Sequence, residues 1–155
     1  KLCYIPHPIM TFTGCDHISN GKVSITESSS LIFSEIYCCG RTAMGEEFGL
    51  KSFRSRTEIA IDGSADFIDN TLIAPASLPI RNKGFFESFT HTGFMYIYTP
   101  DKELLDSVYQ TAVSEDKVKL CATHTERGIA LRALGYSGEE IYDLFLCIAE
   151  KVRNA

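Results

Sequence analysis

Tryptophan is absent from the 155 residues, and no apolar run approaches the roughly 18 residues that a membrane-spanning helix requires. Acidic residues outnumber basic ones, which gives a formal net charge of −5. Proteins that bind nucleic acids usually carry a basic face instead. We therefore expect neither a membrane nor a nucleic acid as a partner of this chain.

The six cysteines show no C-x-x-C spacing and no regular framework, and only Cys38 and Cys39 are adjacent. Such a pattern indicates neither a disulfide scaffold nor a structural zinc site. We interpret the cysteines as reduced thiols and expect a cytoplasmic protein. The adjacent pair is most simply two small packed side chains.

Motifs of the common enzyme classes are also missing. The sequence has no phosphate-binding G-x-x-x-x-G-K-S/T loop, no dinucleotide-binding G-x-G-x-x-G turn and no G-x-S-x-G nucleophile turn. Its four histidines include no H-x-H or H-E-x-x-H pair, which argues against a strong structural zinc site. The residues therefore do not indicate an ordinary hydrolase or kinase.

Aromatic residues typical of β-structure are abundant, with ten Phe and seven Tyr. Asn20-Gly21 predicts a hairpin turn before a strand, and the apolar run from Leu31 to Cys39 predicts a central strand. Phe48 to Ile61 predicts one long strand, in which a change of apolar parity indicates a β-bulge near Lys51-Ser52. Asp62-Gly63 predicts a further hairpin turn.

The second half of the chain mixes strands with helices. Phe85 to Tyr98 predicts an aromatic-rich strand, and Ile129 to Leu134 fits a strand or a short helix. Thr99-Pro100 predicts one helix start, and the capping box from Ser137 to Glu140 predicts another. We expect a mainly β fold, with two sheets coiled into a sandwich or superhelix and two α-helices in the C-terminal third. We expect a single domain over residues 1–155.

A short stretch between two predicted strands, Gly40 to Phe48, places charged residues beside two glycines. Glycine at both 40 and 45 indicates a sharp turn or a close backbone approach. Arg41 and Glu46 beside these glycines fit either an internal ion pair or a functional site. On the residues alone, the ion pair is favoured.

Asp69, His91 and His124 also have simple structural explanations. Asp69 lies in a predicted returning strand and fits a residue that keeps a sheet edge soluble. Both histidines lie between threonines at the ends of strands. A solvated or hydrogen-bonded histidine is the simpler interpretation there than a metal ligand.

The run Gly40-Arg-Thr-Ala-Met-Gly-Glu-Glu-Phe48 resembles the G-R-x-x-x-G-E-x-F signature of the urease accessory protein family UreD, called UreH in some bacteria. The resemblance covers nearly all of this chain but only the later part of a family member. We therefore expect the chain to be the C-terminal part of a larger protein. The other segments that resemble the family, in its order, are Tyr4 to Pro8, Ser55 to Ile59, Asp69 to Leu72, Gly84 to Glu87, His91 to Gly93 and Ala130 to Gly135.

This resemblance implies a non-enzymatic chaperone of nickel-urease maturation, with a mostly β, superhelically coiled two-sheet fold. The implied partners are the urease apoprotein, the accessory protein UreF and, through UreF, the GTPase UreG. A passage for Ni²⁺ is implied as well, with no tightly bound cofactor. Carboxylates and hydroxyls suit such a passage because they hold Ni²⁺ less firmly than thiolates or several histidines would.

The family's G-E glutamate matches Glu46, which is our first choice for a residue of the nickel path. The scaffold that would fix it is Gly40, Arg41 and Gly45. Asp69 and His91 are further candidates for the path, chosen by their chemistry rather than by a motif.

An alternative of a different class is a small metal-dependent enzyme on a β-sandwich or cupin-like barrel, with Glu46, His91 and His124 as ligands. A third interpretation is a structural interaction module whose glycine-bracketed turn holds only an ion pair. Ser34, Glu35 and the adjacent cysteines lie outside these predictions.

Overall fold

The computed structural model describes residues 1–112, 114 and 117–154. Within these ranges the chain forms nine β-strands, one short 3-10 helix and two α-helices. In chain order they are β1 Leu2–Tyr4, β2 Ile9–Met10, β3 Asp16–Ile25, β4 Leu31–Cys38, the 3-10 helix Thr42–Met44, β5 Ser52–Ile61, β6 Ser64–Ile73, β7 His91–Tyr98, α1 Lys102–Thr111, β8 Val118–His124, β9 Ile129–Gly135 and α2 Gly138–Arg153.

The strands form two sheets, which we call the large sheet and the small sheet. The large sheet has the order β1-β4-β7-β9-β8, with β2 also paired to β4. Between β1 and β2 lie Pro6 and Pro8, which have no backbone N–H for a sheet ladder. The small sheet has the order β3-β5-β6. The prediction of a mainly β fold with two sheets and two helices is confirmed.

Side chains of β4 alternate between two separate cores. Ile32 and Ile36 pack with residues of α1 and α2 on one face of the large sheet. Phe33 and Tyr37 pack with residues of the small sheet on the other face. The large sheet is therefore the middle of three layers, between the helices and the small sheet.

α2 covers the large sheet with one apolar face. Ile141, Phe145 and Ile148 are buried, and burying one such side chain contributes about 2 kcal/mol. The helix begins at Gly138, directly after Ser137, as predicted, although the Ser137 side chain makes no capping hydrogen bond. Among the described helices, none meets the requirements of a transmembrane span.

α1 begins later than its sequence predicts. Instead of Thr99, Asp101 is the N-cap, and its carboxylate accepts a hydrogen bond from the Leu104 N–H at 3.0 Å. Aspartate caps a helix at least as well as threonine, which explains the later start. The segment from Ile129 to Leu134, which fitted a strand or a short helix, lies in strand β9.

The hairpin predicted at Asn20-Gly21 is wrong, because both residues lie inside β3. β3 runs parallel to β5, and Gly21 is opposite Thr57. A Cβ at position 21 would lie 3.1 Å from the Thr57 hydroxyl oxygen, so glycine allows a close approach here. The hairpin at Asp62-Gly63 is confirmed, with the left-handed φ values of 47° and 81° that this turn requires.

The bulge predicted near Lys51-Ser52 is also wrong. β5 begins only at Ser52, and Phe48 lies in the preceding turn with φ of 54°. The change of apolar parity therefore marks the end of a turn and the start of a strand, rather than a fault within one long strand.

A bulge does occur between β5 and β6, at the other end of the strand pair. Ala60 pairs with Ala65, whereas the preceding Ile59 pairs with Phe67, so Asp66 is an extra residue on β6. A bulge of this kind turns two successive side chains towards the same face. Asp66 and Phe67 are both partly buried, in agreement with that geometry.

Candidate functional site

The glycine-bracketed turn holds its two charged residues as an ion pair. Arg41 Nε donates to Glu46 Oε2 at 3.0 Å, and Arg41 Nη2 contacts Glu46 Oε1. These hydrogen bonds hold the pKa of Glu46 below its usual value. The Glu46 side chain is 24% exposed, so the pair lies at the surface.

Two glycines give this turn its shape. A Cβ at Gly40 would lie 2.9 Å from the carbonyl carbon of Glu46, which leaves no room for a side chain. Gly45 ends the 3-10 helix with φ of 75°, a conformation that residues with a Cβ adopt at a cost. The backbone of the turn thus fixes the position from which Glu46 projects.

His91, at the start of β7, points towards the helix layer. Its Nδ1 lies 2.9 Å from the Thr90 hydroxyl, and its partner across the sheet is Cys38. A Cβ on Gly138, the first residue of α2, would lie 3.2 Å from His91 Cδ2. The imidazole is therefore buried beneath the beginning of α2.

Asp69 points in the opposite direction, into the space between the two sheets. Its side chain is fully buried. Oδ2 accepts a hydrogen bond from the Thr71 hydroxyl at 2.9 Å, and Oδ1 forms an ion pair with Nη2 of Arg132 on β9. The Arg132 guanidinium also lies over the Phe94 ring, 5.7 Å from its centroid. Asp69 thus links the small sheet to the large one.

A second carboxylate in this space belongs to Glu35, which the sequence analysis left outside the predicted site. Its Oε2 accepts the hydroxyl hydrogen of Tyr37, and the hydroxyls of Ser55 and Thr57 lie 3.3 Å and 3.4 Å from the same oxygen. Burial and the hydrogen bond to Glu35 raise the pKa of Tyr37 well above its usual value. A lone carboxylate inside an otherwise apolar strand is the sequence signal that could have identified Glu35.

Strand register brings the two carboxylates to the same space. Glu35, Phe94 and Arg132 are neighbours across β4, β7 and β9. On the facing small sheet, Asp69 pairs with Thr57, the residue that contacts Glu35. We call this set of side chains the interior polar layer. Its members are Glu35, Tyr37, Ser55, Thr57, Asp69, Thr71 and Arg132.

The β6 bulge supplies a third carboxylate between the sheets, Asp66. Its Oδ2 accepts hydrogen bonds from the hydroxyls of Tyr96 and Thr125, each at 2.6 Å. Burial, followed by the hydrogen bond to Asp66, raises the pKa of Tyr96. Asp66 Oδ1 is buried and has no hydrogen-bond partner among the described residues.

Two depressions of the surface lead towards these interior groups. One is an apolar groove of about 330 Å³, which we call the Leu72 groove; its lining includes Thr71, Leu72, Phe85, Leu120 and Arg132. The other is a polar cleft of about 590 Å³ at the beginning of α1; its lining includes Glu27, Tyr98, Thr125 and Arg127. Arg132 belongs to both the Leu72 groove and the interior polar layer, and Thr125 connects the cleft with Asp66.

The structure does not bring the predicted metal-path residues together. Glu46 lies in the surface turn, Asp69 between the sheets and His91 beneath α2. In the described part of the chain, no group of three or more His, Cys, Asp or Glu residues could hold a metal ion. Each interior carboxylate instead has hydroxyl groups as its neighbours.

The ligand set of the alternative enzyme is not assembled either. His91 and His124 lie at opposite ends of the large sheet, because His91 is level with Gly135 and His124 with Ile129. Six residues of extended strand separate these levels, a distance of about 20 Å. The His124 ring packs on Tyr109, with their centroids 4.2 Å apart.

These features define a two-sheet β protein in which acidic side chains and hydroxyls are enclosed between the sheets. Comparison with known families identifies it further. The family model described as UreD urease accessory protein matches residues 1–155, and the chain belongs to this family. The family expected from the glycine-bracketed turn is thereby confirmed.

Individual relatives agree with this assignment. The chain is 29% identical over 150 residues to urease accessory protein UreD of Acetivibrio thermocellus, and 29% identical over 154 residues to UreD of Flavobacterium johnsoniae. It is 28% identical over 145 residues to urease accessory protein UreH of Helicobacter hepaticus. These matches cover 95%, 96% and 90% of this chain but only 57%, 56% and 55% of the respective relatives. The chain thus spans little more than half the length of the relatives it matches.

Proposed function

We propose that this chain acts in urease maturation as a non-catalytic chaperone that helps to pass Ni²⁺ to the urease active site. Membership of the urease accessory protein family supports the maturation role. The observation that carries the nickel step is the interior polar layer, in which carboxylates and hydroxyls line the space between the two sheets.

The chemistry of this layer suits transit better than storage. A resident nickel site would gather several imidazole or thiolate ligands around one point. Glu35 and Asp69 each offer a single carboxylate, and hydroxyls of serine and threonine supply the remaining oxygens. Ligands of this kind bind a divalent ion briefly and release it to the next group.

Asp69 is the predicted path residue that belongs to this layer, and we add Glu35 to the proposed path. Glu46 remains proposed as a surface residue of the path, where its carboxylate would have to exchange Arg41 for an ion. His91 lies beneath α2, on the other side of the large sheet. It remains a candidate only for a separate branch of the nickel path on that side.

The proposed partners follow from the family resemblance. They are the urease apoprotein, UreF and, through UreF, the GTPase UreG. The chain would act as a scaffold that holds this assembly on apo-urease in the cytoplasm while the ion passes.

The experiment is co-precipitation of the full natural chain with apo-urease and UreF, with and without Ni²⁺, followed by measurement of the nickel content of urease. We expect both partners to be recovered with the wild-type protein and with Asp69→Asn, but less nickel in urease with the variant. Asp16→Asn, which changes an exposed aspartate paired with Lys51, is the matched control. Recovery of neither partner would rule out the proposed role.

A further inference from the structure

The Asp69–Arg132 pair differs from the other ion pairs in the described part of the chain. The acidic side chains of those pairs are between 23% and 65% exposed, whereas the Asp69 side chain is 0% exposed. A buried carboxylate without a counter-ion is strongly unfavourable. Asp69 therefore depends on a cation, and Arg132 supplies it.

The contact between these two residues is nevertheless an ion pair without a well-aligned hydrogen bond. Asp69 Oδ1 has Arg132 as its ion-pair partner but accepts no well-aligned hydrogen bond from any described residue. In the described ranges, the one hydrogen bond that its side chain accepts is donated by Thr71 to Oδ2. A bidentate guanidinium pair would fix the carboxylate more firmly than this arrangement does.

The Arg132 side chain also has an alternative position open to it, in the Leu72 groove. This side chain is 49% exposed and lines the Leu72 groove, which is open to solvent. The guanidinium can therefore swing out without burying its own charge. Asp69, on a central part of β6 between the sheets, has no comparable freedom.

We infer that Arg132 is an exchangeable counter-ion of the nickel path, an inference that rests on the proposed function. When no metal is present, the guanidinium neutralises Asp69. A divalent cation that reaches Asp69 repels the guanidinium, which moves into the Leu72 groove, because two cations held close together on one carboxylate repel each other. The return of Arg132 then drives the ion away from Asp69. Arg132 is thus a positioning residue that keeps the path from trapping its cargo.

The test measures the affinity of the full natural chain for Ni²⁺ alone, by calorimetry. We expect Arg132→Gln to bind Ni²⁺ at least roughly tenfold more tightly than the wild type, because the competing cation is gone. Adding Asp69→Asn to this variant should abolish the gain. Arg132→Lys retains the charge and should bind about as weakly as the wild type. Arg56→Gln is the matched control, because Arg56 is 47% exposed and pairs with Glu58 on the outer face of the small sheet.

The outcomes separate this inference from the proposed function. Unchanged affinity in Arg132→Gln, together with weaker binding in Asp69→Asn, would overturn the exchange but leave the path intact. If Asp69→Asn had no effect in either background, the interior step of the proposed function would fail as well.

If Arg132→Gln does not fold, a crystal of the wild-type protein soaked with Ni²⁺ decides the question. We expect a nickel ion at Asp69 with the guanidinium of Arg132 turned into the Leu72 groove. A nickel ion at Asp69 beside an unmoved ion pair, or no nickel there at all, would overturn the inference.

Discussion

Tyr37 donates its hydroxyl hydrogen to Glu35, two residues earlier on the same strand. Residues two apart on a strand share a face, and on β4 that face looks into the space between the sheets. The hydrogen bond from Tyr37 thus stabilises a carboxylate whose burial in an apolar core would otherwise be unfavourable. The aromatic ring packs against Phe53, with ring centroids 4.5 Å apart.

The pKa of Tyr37 leads to a prediction about alkaline stability. Burial and Glu35 raise this pKa far above its usual value of 10.0, whereas the unfolded chain titrates normally. Above about pH 10 the folded protein therefore keeps a proton that the unfolded chain has lost, and the free energy of unfolding falls as the pH rises. We expect urea denaturation to show this fall, with a shallower slope in Tyr37→Phe.

Phenolate absorbance during the same titration provides the control. Tyr37 and Tyr96 should remain protonated until the protein unfolds, because burial raises the pKa of both. Ionisation of Tyr37 while the protein is still folded would contradict the buried Tyr37–Glu35 contact.

Glu35→Gln tests the interior carboxylate that the sequence analysis did not select. Glutamine has nearly the same shape and an oxygen that can accept the hydrogen bond from Tyr37, so we expect the fold to persist. We expect the nickel content of urease to fall when this variant replaces the wild type in cells. Glu58→Gln, on the outer face of the small sheet, should leave nickel loading unchanged. Equal loading by all three proteins would remove Glu35 from the path.

Glu46 can be tested by separating its charge from its ion pair. Arg41→Gln breaks the pair but leaves the carboxylate in place, whereas Glu46→Gln removes the carboxylate. If Glu46 handles nickel, only Glu46→Gln should lower the nickel content of urease, and both variants should still bind UreF. The same loss in both variants would show that the turn needs only its ion pair.

The glycines of this turn should differ in how much stability they contribute. Gly45→Ala places a side chain at a left-handed φ, which costs about 1–2 kcal/mol. Gly40→Ala should cost more, because its Cβ would meet the backbone of Glu46, which cannot move as a flexible side chain can. Met44→Ala, at a residue of the same turn that is 71% exposed, should change stability by less than about 0.5 kcal/mol. Urea denaturation measures all three variants, and a smaller loss for Gly40→Ala than for Gly45→Ala would contradict this account.

The mainly β architecture was accessible from the sequence because it depends on local patterns. The apolar run of β4 indicates a strand that is buried on both faces. The apolar stripe of α2 indicates a helix that is buried on one face. The Asn20-Gly21 prediction failed for the opposite reason. Parallel pairing of β3 with a distant strand decided the conformation there, and a local turn signal contains no information about that pairing.

The candidate site shows the same division. The Arg41–Glu46 contact joins residues five apart and could be anticipated from their spacing. The contact between Asp69 and Arg132 crosses from one sheet to the other, so neither residue indicates its partner. Glu35 was visible as a charge within an apolar strand, but only the facing hydroxyls of β5 show what surrounds it.

The extra residue on β6 makes one of the interior carboxylates separable from the others. Because Asp66 has no partner on β5, deleting it would leave Phe67 opposite Ile59 and Asp69 opposite Thr57. The hydrogen bonds to Tyr96 and Thr125 would disappear with it. A single-codon deletion can therefore remove the carboxylate near the polar cleft while the carboxylate near the Leu72 groove stays in place.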